Sequence, residues 1–596
     1  MSILKDNRIR NIVKLSRQAF GKYKRQITIL TILGFLTGIL EGIGVNAIIP
    51  LFSIIMGGKQ GGDDIISQFI EKFFLYFDIN FSVKYLLIFI SLLFIVRAIA
   101  LVLGGYIQAK ITADYEEQTR NNLFSKTLRS SWPHLLKQKI GYLENILMID
   151  IGNSSFLLSQ ISNTIMILTS LLIYTLVAIN ISFYITLITF ILGGILFLLF
   201  KPLIYKTRVL GYETTNVNKK IAHYINENIT GMKMIKALSV ENQIIIIGAK
   251  YFTQLKKIKI KLFLLKNITG AFIQPVSLIF ICVIFAFSYK LPNFNFASLA
   301  VIIYLVQRIF SYVQQLQHNL HVTNEMVPFL RSALDYEEKV IKNKEVKGGM
   351  GHFKFDDKLE FKDVCFAYNT EKEILTSVNF SISRGDMIGL IGPSGAGKTT
   401  IVDLILRLFN PTSGKILLDG KNIFDINMKE WRNSIGYVSQ DIFLLNDTIA
   451  NNIKFYDNSI FEKDIIKAAK MANIYDFIQS CSDGLATVIG ERGVMLSAGQ
   501  RQRIIIARIL ARQPKFLILD EATSALDNES EIQIQKVIEN LKGKVTVLAI
   551  AHRLSTVINS SKLLVLDNGK IIEQGTSQKL LKDKESYFAK VYNLRK

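Results

Sequence analysis

Long apolar stretches dominate the first half of the chain, and alternation of short buried-type runs with polar turns dominates the second. Six apolar stretches of roughly 20 residues or more lie near 26–52, 83–107, 157–179, 182–204, 269–289 and 295–316. Each has the length that crosses about 30 Å of hydrocarbon. One such run can be a buried helix of a soluble protein, but six in series exceed what one core absorbs. Between spans 2 and 3, and again between spans 4 and 5, lie long polar connections with helical periodicity. Both read as helical rather than disordered. The leader before span 1 reads as an amphipathic interfacial helix. Residues 337–358 read as a polar linker. From 359 onward the pattern changes to short strands and helices. Phe516-Leu517-Ile518-Leu519-Asp520-Glu521 is an apolar run closed by two acids, as a buried parallel strand reads.

Composition and charge refine this picture. The 596 residues are 50% hydrophobic and only 20% charged, too apolar for a soluble chain of this length. The net charge of +23 is concentrated before span 1 (Lys5, Arg8, Arg10, Lys14, Arg17, Lys22, Lys24, Arg25) and between spans 4 and 5 (Lys206, Arg208, Lys219, Lys220 and others). The connections at about 56–80, 179–182 and 289–295 are poor in base. The positive-inside rule therefore places the N-terminus and the second half in the cytoplasm. Attraction to anionic inner-leaflet lipid accounts for the basic excess, and no nucleic-acid partner is expected. Cys282, Cys365 and Cys481 show no metal spacing and no even disulfide set. Span 1 is too long for a cleavable signal, and the segment before it too short for a peptidase domain. Lys- and Ile-rich, Pro-poor usage points to an AT-rich bacterial genome and so to a bacterial cytoplasmic membrane.

The chemistry is in the second half. Gly392-Pro393-Ser394-Gly395-Ala396-Gly397-Lys398-Thr399, followed by Thr400, is a phosphate-binding loop. Its glycines let backbone N–H groups close around phosphates, Lys398 adds positive charge, and Thr399 is placed to ligate Mg²⁺. About a hundred residues on, Leu496-Ser497-Ala498-Gly499-Gln500 resembles the signature of ATP-binding cassette proteins, with Ala498 where the family has glycine. The interval between the two is short and without sustained heptads, which excludes the coiled-coil chromosome-maintenance ATPases that share the signature.

The resemblance, to half-size ABC exporters, covers nearly the whole chain and implies a fold: an α-helical six-span membrane domain (1–336) plus an α/β P-loop ATP-binding cassette domain (359–596). It also implies site roles. Tyr368 stacks on adenine, while Gln440 reaches Mg²⁺ and the attacking water. Asp520 holds Mg²⁺, and Glu521 acts as general base. Ser524-Ala525-Leu526-Asp527 forms the loop passing between cassettes, and His552 contacts the γ-phosphate. The two long polar connections resemble the family's intracellular extensions, which implies helices that run on past the membrane, with short transverse helices near Ile140–Leu147 and Thr214–Val217 at the hairpin bends. Asn226 through Glu241 resembles a family segment on the returning helix. ATP and Mg²⁺ are the implied ligands. Since each site needs the signature of another cassette, the resemblance implies a dimer, a second copy of the chain or a related half-transporter.

Substrate is less legible. Charges inside membrane spans are functional candidates. Counting ~1.5 Å per residue places Arg97 and Arg308 roughly 8–12 Å from the inner surface. Glu41 comes out nearer the outer surface, so pairing with Arg97 needs a vertical offset. The two arginines suit a phosphate or pyrophosphate headgroup, and structural pairing or snorkelling to the interface is the competing reading. The stretch Gly38 to Pro50 resembles the opening helix of bacterial exporters of lipid-linked glycans. An exported or flipped amphipathic lipid is thus the leading expectation, with hydrophobic drugs or peptides as the rival. An ATP-gated channel is a third class, disfavoured by the intact Glu521.

Overall fold

The computed structural model describes residues 9–55, 65–288, 296–346, 348–369, 372–521, 527–551, 553 and 556–593. The chain divides into two compact units, residues 1–130 with 134–344, and 131–133 with 345–596. Among the described residues, six helices are long and apolar enough to cross a membrane.

The first unit begins with α1 (Ile9–Phe20), an amphipathic helix, followed by α2 (Lys24–Asn46) and α3 (Ile48–Ile55). A short helix, α4 (Ile65–Tyr76), buries Ser67, Ile70 and Phe74. It stands where sequence reading saw only an outward connection. Next come α5 (Val83–Leu128), two short helices α6 (Trp132–Leu136) and α7 (Ile140–Asn145), then α8 (Ile151–Ile181) and α9 (Phe183–Thr230). The short α10 (Met232–Leu238) leads to α11 (Glu241–Ser288) and α12 (Phe296–Lys342). At ~1.5 Å per residue the 48 residues of α9 reach about 70 Å, so these helices do continue well past the hydrocarbon layer. The last of them runs to Lys342, inside the segment read as linker.

The first short helix falls where the resemblance places it, at α7. The second does not. Thr214–Val217 lies within the unbroken α9, with Thr214, Thr215 and Val217 buried. The polar β-branched pair does not stop the helix. Thr214 Oγ1 donates to Leu210 O (2.9 Å) and Thr215 Oγ1 to Gly211 O (3.1 Å), which satisfies both hydroxyls one turn back. The chain turns instead at Gly231, traverses α10, and leaves through Ser239 in the left-handed region (φ +52°). The Asn226–Glu241 segment is therefore the bend itself, and the returning helix starts only at Glu241.

In the second unit, β1 (Lys358–Phe366) and β2 (Leu375–Ser383) precede β3 (Met387–Ile391) and α13 (Lys398–Ile405). Then follow β4 (Ser413–Leu418), β5 (Lys421–Asn422), α14 (Met428–Ser434) and β6 (Ile435–Val438). A helical region carries α15 (Ile449–Lys454), α16 (Glu462–Met471), α17 (Tyr475–Ser480) and α18 (Ala498–Leu510). The chain returns through β7 (Phe516–Asp520), α19 (Asn528–Leu541), β8 (Thr546–Ile550), β9 (Lys562–Asp567), β10 (Lys570–Gly575), α20 (Ser577–Lys582) and α21 (Tyr587–Asn593). A four-stranded antiparallel sheet has the order β2-β1-β4-β5. A six-stranded sheet has the order β10-β9-β3-β8-β7-β6, parallel except for β10. Every residue of β3, β7 and β8 is buried, which is why these strands read as uninterrupted apolar runs.

Candidate functional site

Phosphate-type ligands of α/β sheets sit beyond the carboxyl ends of parallel strands. Here β3 runs directly into residues 392–397, and α13 begins at Lys398. Gly392, Gly395 and Gly397 adopt φ of +155°, +81° and +106°. A Cβ on Gly392 would lie 2.0 Å from Leu566 O, so only glycine lets the loop pack against β9. Pro393 is half-buried, Ala396 buried, and Ser394 and Gly395 exposed. Lys398 is buried, and its ammonium donates to the carbonyls of Gly392 and Pro393, both at 3.0 Å. Burial holds its pKa below the ordinary lysine value, against the opposing pull of Glu521 and Asp520. The loop and its lysine thus form a cationic cradle at a helix N-terminus, which fits a nucleotide's phosphates. Thr399 is exposed on the first turn and Thr400 buried behind it.

Tyr368 comes to the same place. Its hydroxyl shares a 3.2 Å hydrogen bond with Thr400 Oγ1, and Phe366 and Phe409 meet its ring edge-to-face at 4.9 and 5.1 Å. The ring is braced and still half exposed, which suits a stacking platform.

Asp520, 3% exposed, ends β7 and accepts from Tyr437 Oη at 3.4 Å. Glu521 follows in the left-handed region (φ +52°), its N–H donating to Ile550 O at 3.0 Å. The exposed Gln440, just beyond β6, donates through Nε2 to Glu521 Oε2 at 2.9 Å. Glutamine and glutamate from neighbouring parallel strands are therefore brought together beside the lysine. Sequence reading missed one member of this group, Asp403 on α13. Burial, reinforced by Asp520, pushes its carboxyl up to about 6. An acid inside an otherwise apolar helix stretch was the available signal.

The signature stretch caps α18. Ser497 accepts from Gln500 N (3.2 Å), and Gln500 Oε1 accepts from Ser497 N (2.8 Å), a reciprocal capping box. Gly499 faces α19, where a Cβ would lie 2.2 Å from Ser530 Oγ. Ala498 is half-buried and already carries its methyl group without such a clash. The glycine replaced in this chain is the one whose position has room. Asp527 caps α19 by accepting from Ser530 N at 3.1 Å, and that hydrogen bond holds its carboxyl below the usual range. His552 and residues 524–526 lie outside the described residues.

In the first unit, Glu41 is buried and takes both arginines. Arg97 pairs with Oε2, and Arg308 Nη2 donates to Oε1 at 2.5 Å. The offset inferred from span counting is bridged by the two long side chains. The Arg308 guanidinium lies 5.7–6.0 Å from the ring centres of Tyr174, Tyr304 and Tyr312. Glu41 and Arg97 line a cavity of about 650 Å³ among α2, α5, α8, α11 and α12. The rest of its wall is rich in carboxamides: Gln160, Asn163, Asn267, Gln314, Gln315 and Asn319. A second ion pair, Lys266 with Glu325, stands at its edge. Sequence reading singled out charges within spans and passed over these amides, which the same reasoning flags.

A phosphate loop and acid pair on a parallel sheet, fused to six membrane-length helices of which five line a polar cavity, define a multi-pass membrane protein with its own nucleotide-binding domain. The comparisons agree: residues 27–315 match the ABC transporter transmembrane region and residues 375–524 match ABC transporter. The heterocyst differentiation ATP-binding protein HepA of Nostoc sp. is 31% identical over 493 residues, 81% of this chain and 79% of that protein. This chain belongs to the ABC transporter family. ATP-dependent lipid A-core flippases are also similar. That of Idiomarina loihiensis is 48% identical over 237 residues, 39% of this chain and 40% of its own. That of Desulfotalea psychrophila is 46% identical over 241 residues, 40% and 42%. The chain thus spans about two fifths of the length of these flippases. A bacterial Atm1-family ABC exporter solved with ATP bound matches 96% of this chain and 98% of its own, at a TM-score of 0.75 and 23% identity. The fold is that of a half-size ABC exporter.

Proposed function

We propose that this protein hydrolyses ATP to export or flip an amphipathic lipid, of the lipid-linked glycan type, across a bacterial cytoplasmic membrane. The observation that carries the lipid reading is the polar cavity inside the membrane helices, with Arg97 and Glu41 on its wall. A charged and amide-rich cavity at that depth suits a polar headgroup better than a wholly apolar compound. The names of the flippase relatives support the same class.

In this reading residues 1–336 form the transport domain, 337–358 the linker and 359–596 the motor. Gly392 through Thr400 bind the phosphates, with Lys398 neutralising charge, and Tyr368 carries the base. Thr399, Asp520 and Gln440 would hold Mg²⁺, which when bound supplies charge neutralisation on the phosphates. Glu521 accepts the proton of the attacking water, oriented by Gln440, and His552 contacts the terminal phosphate. Ser497, Ala498, Gly499, Gln500 and Asp527 act on the nucleotide of a second copy, so the working unit is a homodimer. Transport follows if nucleotide binds one conformation better than the other, since only differential affinity shifts an equilibrium. The test is ATPase activity of the protein in liposomes against polyprenyl-pyrophosphate glycans, phospholipids, cationic drugs and short peptides. Stimulation by the lipids supports the reading. Stimulation by drugs or peptides alone replaces the substrate class and keeps the exporter. Transmembrane ion current without turnover would make the protein a gated channel.

A further inference from the structure

Arg97 on the cavity wall and Arg308, joined to it through Glu41, are not free to present their full charge. Glu41 gives one oxygen to each, so two positive charges and one negative leave the cluster at +1. Its carboxylate is 3% exposed, against 21% for Arg97 and 34% for Arg308, so the acid is enclosed while the guanidiniums keep an open side. The other ion pair at this cavity, Lys266 with Glu325, cancels itself. The remaining polar wall combines six carboxamides with the hydroxyls of Thr37, Ser170, Thr269, Ser311 and Tyr312, which exchange hydrogen bonds without adding charge, and the imidazole of His318. A net charge within the hydrocarbon layer is costly unless an occupant compensates it.

We propose that Glu41 is a specificity-determining residue. By cancelling one of two arginine charges, it sets the cavity to accept a headgroup with one net negative charge, whose hydroxyls engage the carboxamides. Neutral headgroups forgo the residual charge, and multiply anionic ones bring charge that the cluster does not match. This inference rests on the lipid-export reading above and narrows it: within each copy's own cavity, a headgroup with a single phosphodiester charge is favoured over a pyrophosphate-linked one, which carries two. Specificity here is a difference of affinities, so removing the acid should re-rank headgroups as well as weaken any one of them.

The experiment uses the full chain in neutral liposomes. It reads ATPase stimulation by chain-matched glycosyl-diacylglycerol (neutral, hydroxyl-rich), phosphatidylglycerol (one charge, hydroxyl-rich) and phosphatidylinositol bisphosphate (several charges). Wild type should respond at the lowest concentration to phosphatidylglycerol. Glu41→Gln keeps a hydrogen-bond acceptor for the arginines but leaves +2. It should move the ratio of half-maximal concentrations about tenfold toward the bisphosphate. The double variant Glu41→Gln/Arg97→Gln returns the cluster to +1 and should restore the wild-type ranking, which repair of packing alone would not do. An unchanged ranking in Glu41→Gln, or no restoration in the double variant, overturns the role of Glu41. If Glu41→Gln fails to fold, Arg97→Gln, at net zero, carries the test. Its preference should move to the neutral glycolipid, and an unmoved preference overturns the proposal. Lipid stimulation that ignores Glu41 sinks this inference alone. A wild type stimulated by no lipid but by drugs or peptides sinks the lipid reading beneath it.

Discussion

Gln440 and Glu521, 81 residues apart in sequence, meet through one hydrogen bond of 2.9 Å from the amide nitrogen to the carboxylate. The contact fixes a carboxylate oxygen beside the phosphate loop. Glu521→Gln should therefore lower kcat at least about 100-fold, the usual worth of a positioned general base. ATP affinity should change by less than a factor of about two, because the loop proposed to bind the phosphates is untouched. Phosphate release and equilibrium nucleotide binding on the same preparation check both halves, and brisk hydrolysis would remove Glu521 from the role.

The signature helix makes a sharp steric prediction. Gly499→Ala should cost about 1–3 kcal/mol, as overpacked core positions do, because its methyl group meets the Ser530 side chain. Ala498→Gly, one residue away, should shift stability by about 1 kcal/mol or less, from backbone entropy alone. Thermal unfolding of the isolated variants in nucleotide-free buffer compares them directly, and equal losses would refute the packing account.

Asp403 gives a pH prediction. Its folded pKa is raised to about 6, above the ordinary carboxyl value of 3.8, chiefly by burial. The folded state therefore binds the proton more tightly than the unfolded chain does. The penalty is absent well below 3.8, grows as pH rises, and is complete above about 6. Asp403→Asn should raise Tm at pH 8 and leave it nearly unchanged at pH 4, measured without Mg²⁺ and nucleotide. A uniform shift across pH would show that ionisation of Asp403 is not the cause.

In the membrane unit, Arg308→Ala removes one of the two donors to Glu41. Stimulation by anionic lipid should fall at least about fivefold, while basal ATPase stays within about twofold, since the motor residues are untouched. Paired measurements in the same liposomes decide it, and an equal loss of both would assign Arg308 a purely structural part.

The motor was legible in the sequence because its chemistry lies in contiguous strings: a loop such as Gly392–Thr399 carries its spacing with it. The six spans were legible because apolar length is itself the signal. What escaped were features set by contacts between distant segments. The resemblance puts a bend at Thr214–Val217, yet the hydroxyls of Thr214 and Thr215 close onto the preceding turn and the helix continues. The true bend needs Gly231 and the left-handed Ser239, neither marked by hydropathy. Counting residues along spans set Glu41 apart from Arg97, whereas side-chain reach joins them. Asp403 carried one local signal, an acid within an apolar helix stretch, but its nearness to Asp520 is set by the fold.

The length of α9 has a mechanical consequence. A rod of about 70 Å held across about 30 Å of hydrocarbon projects well beyond it, and tilting about a point within the bilayer moves its two ends in opposite directions. A 10° tilt would displace an end 40 Å from that point by about 7 Å. In such a see-saw, narrowing at one membrane face and widening at the other are a single displacement. Probes at the two ends of α9 would then report motions of opposite sign with one time constant.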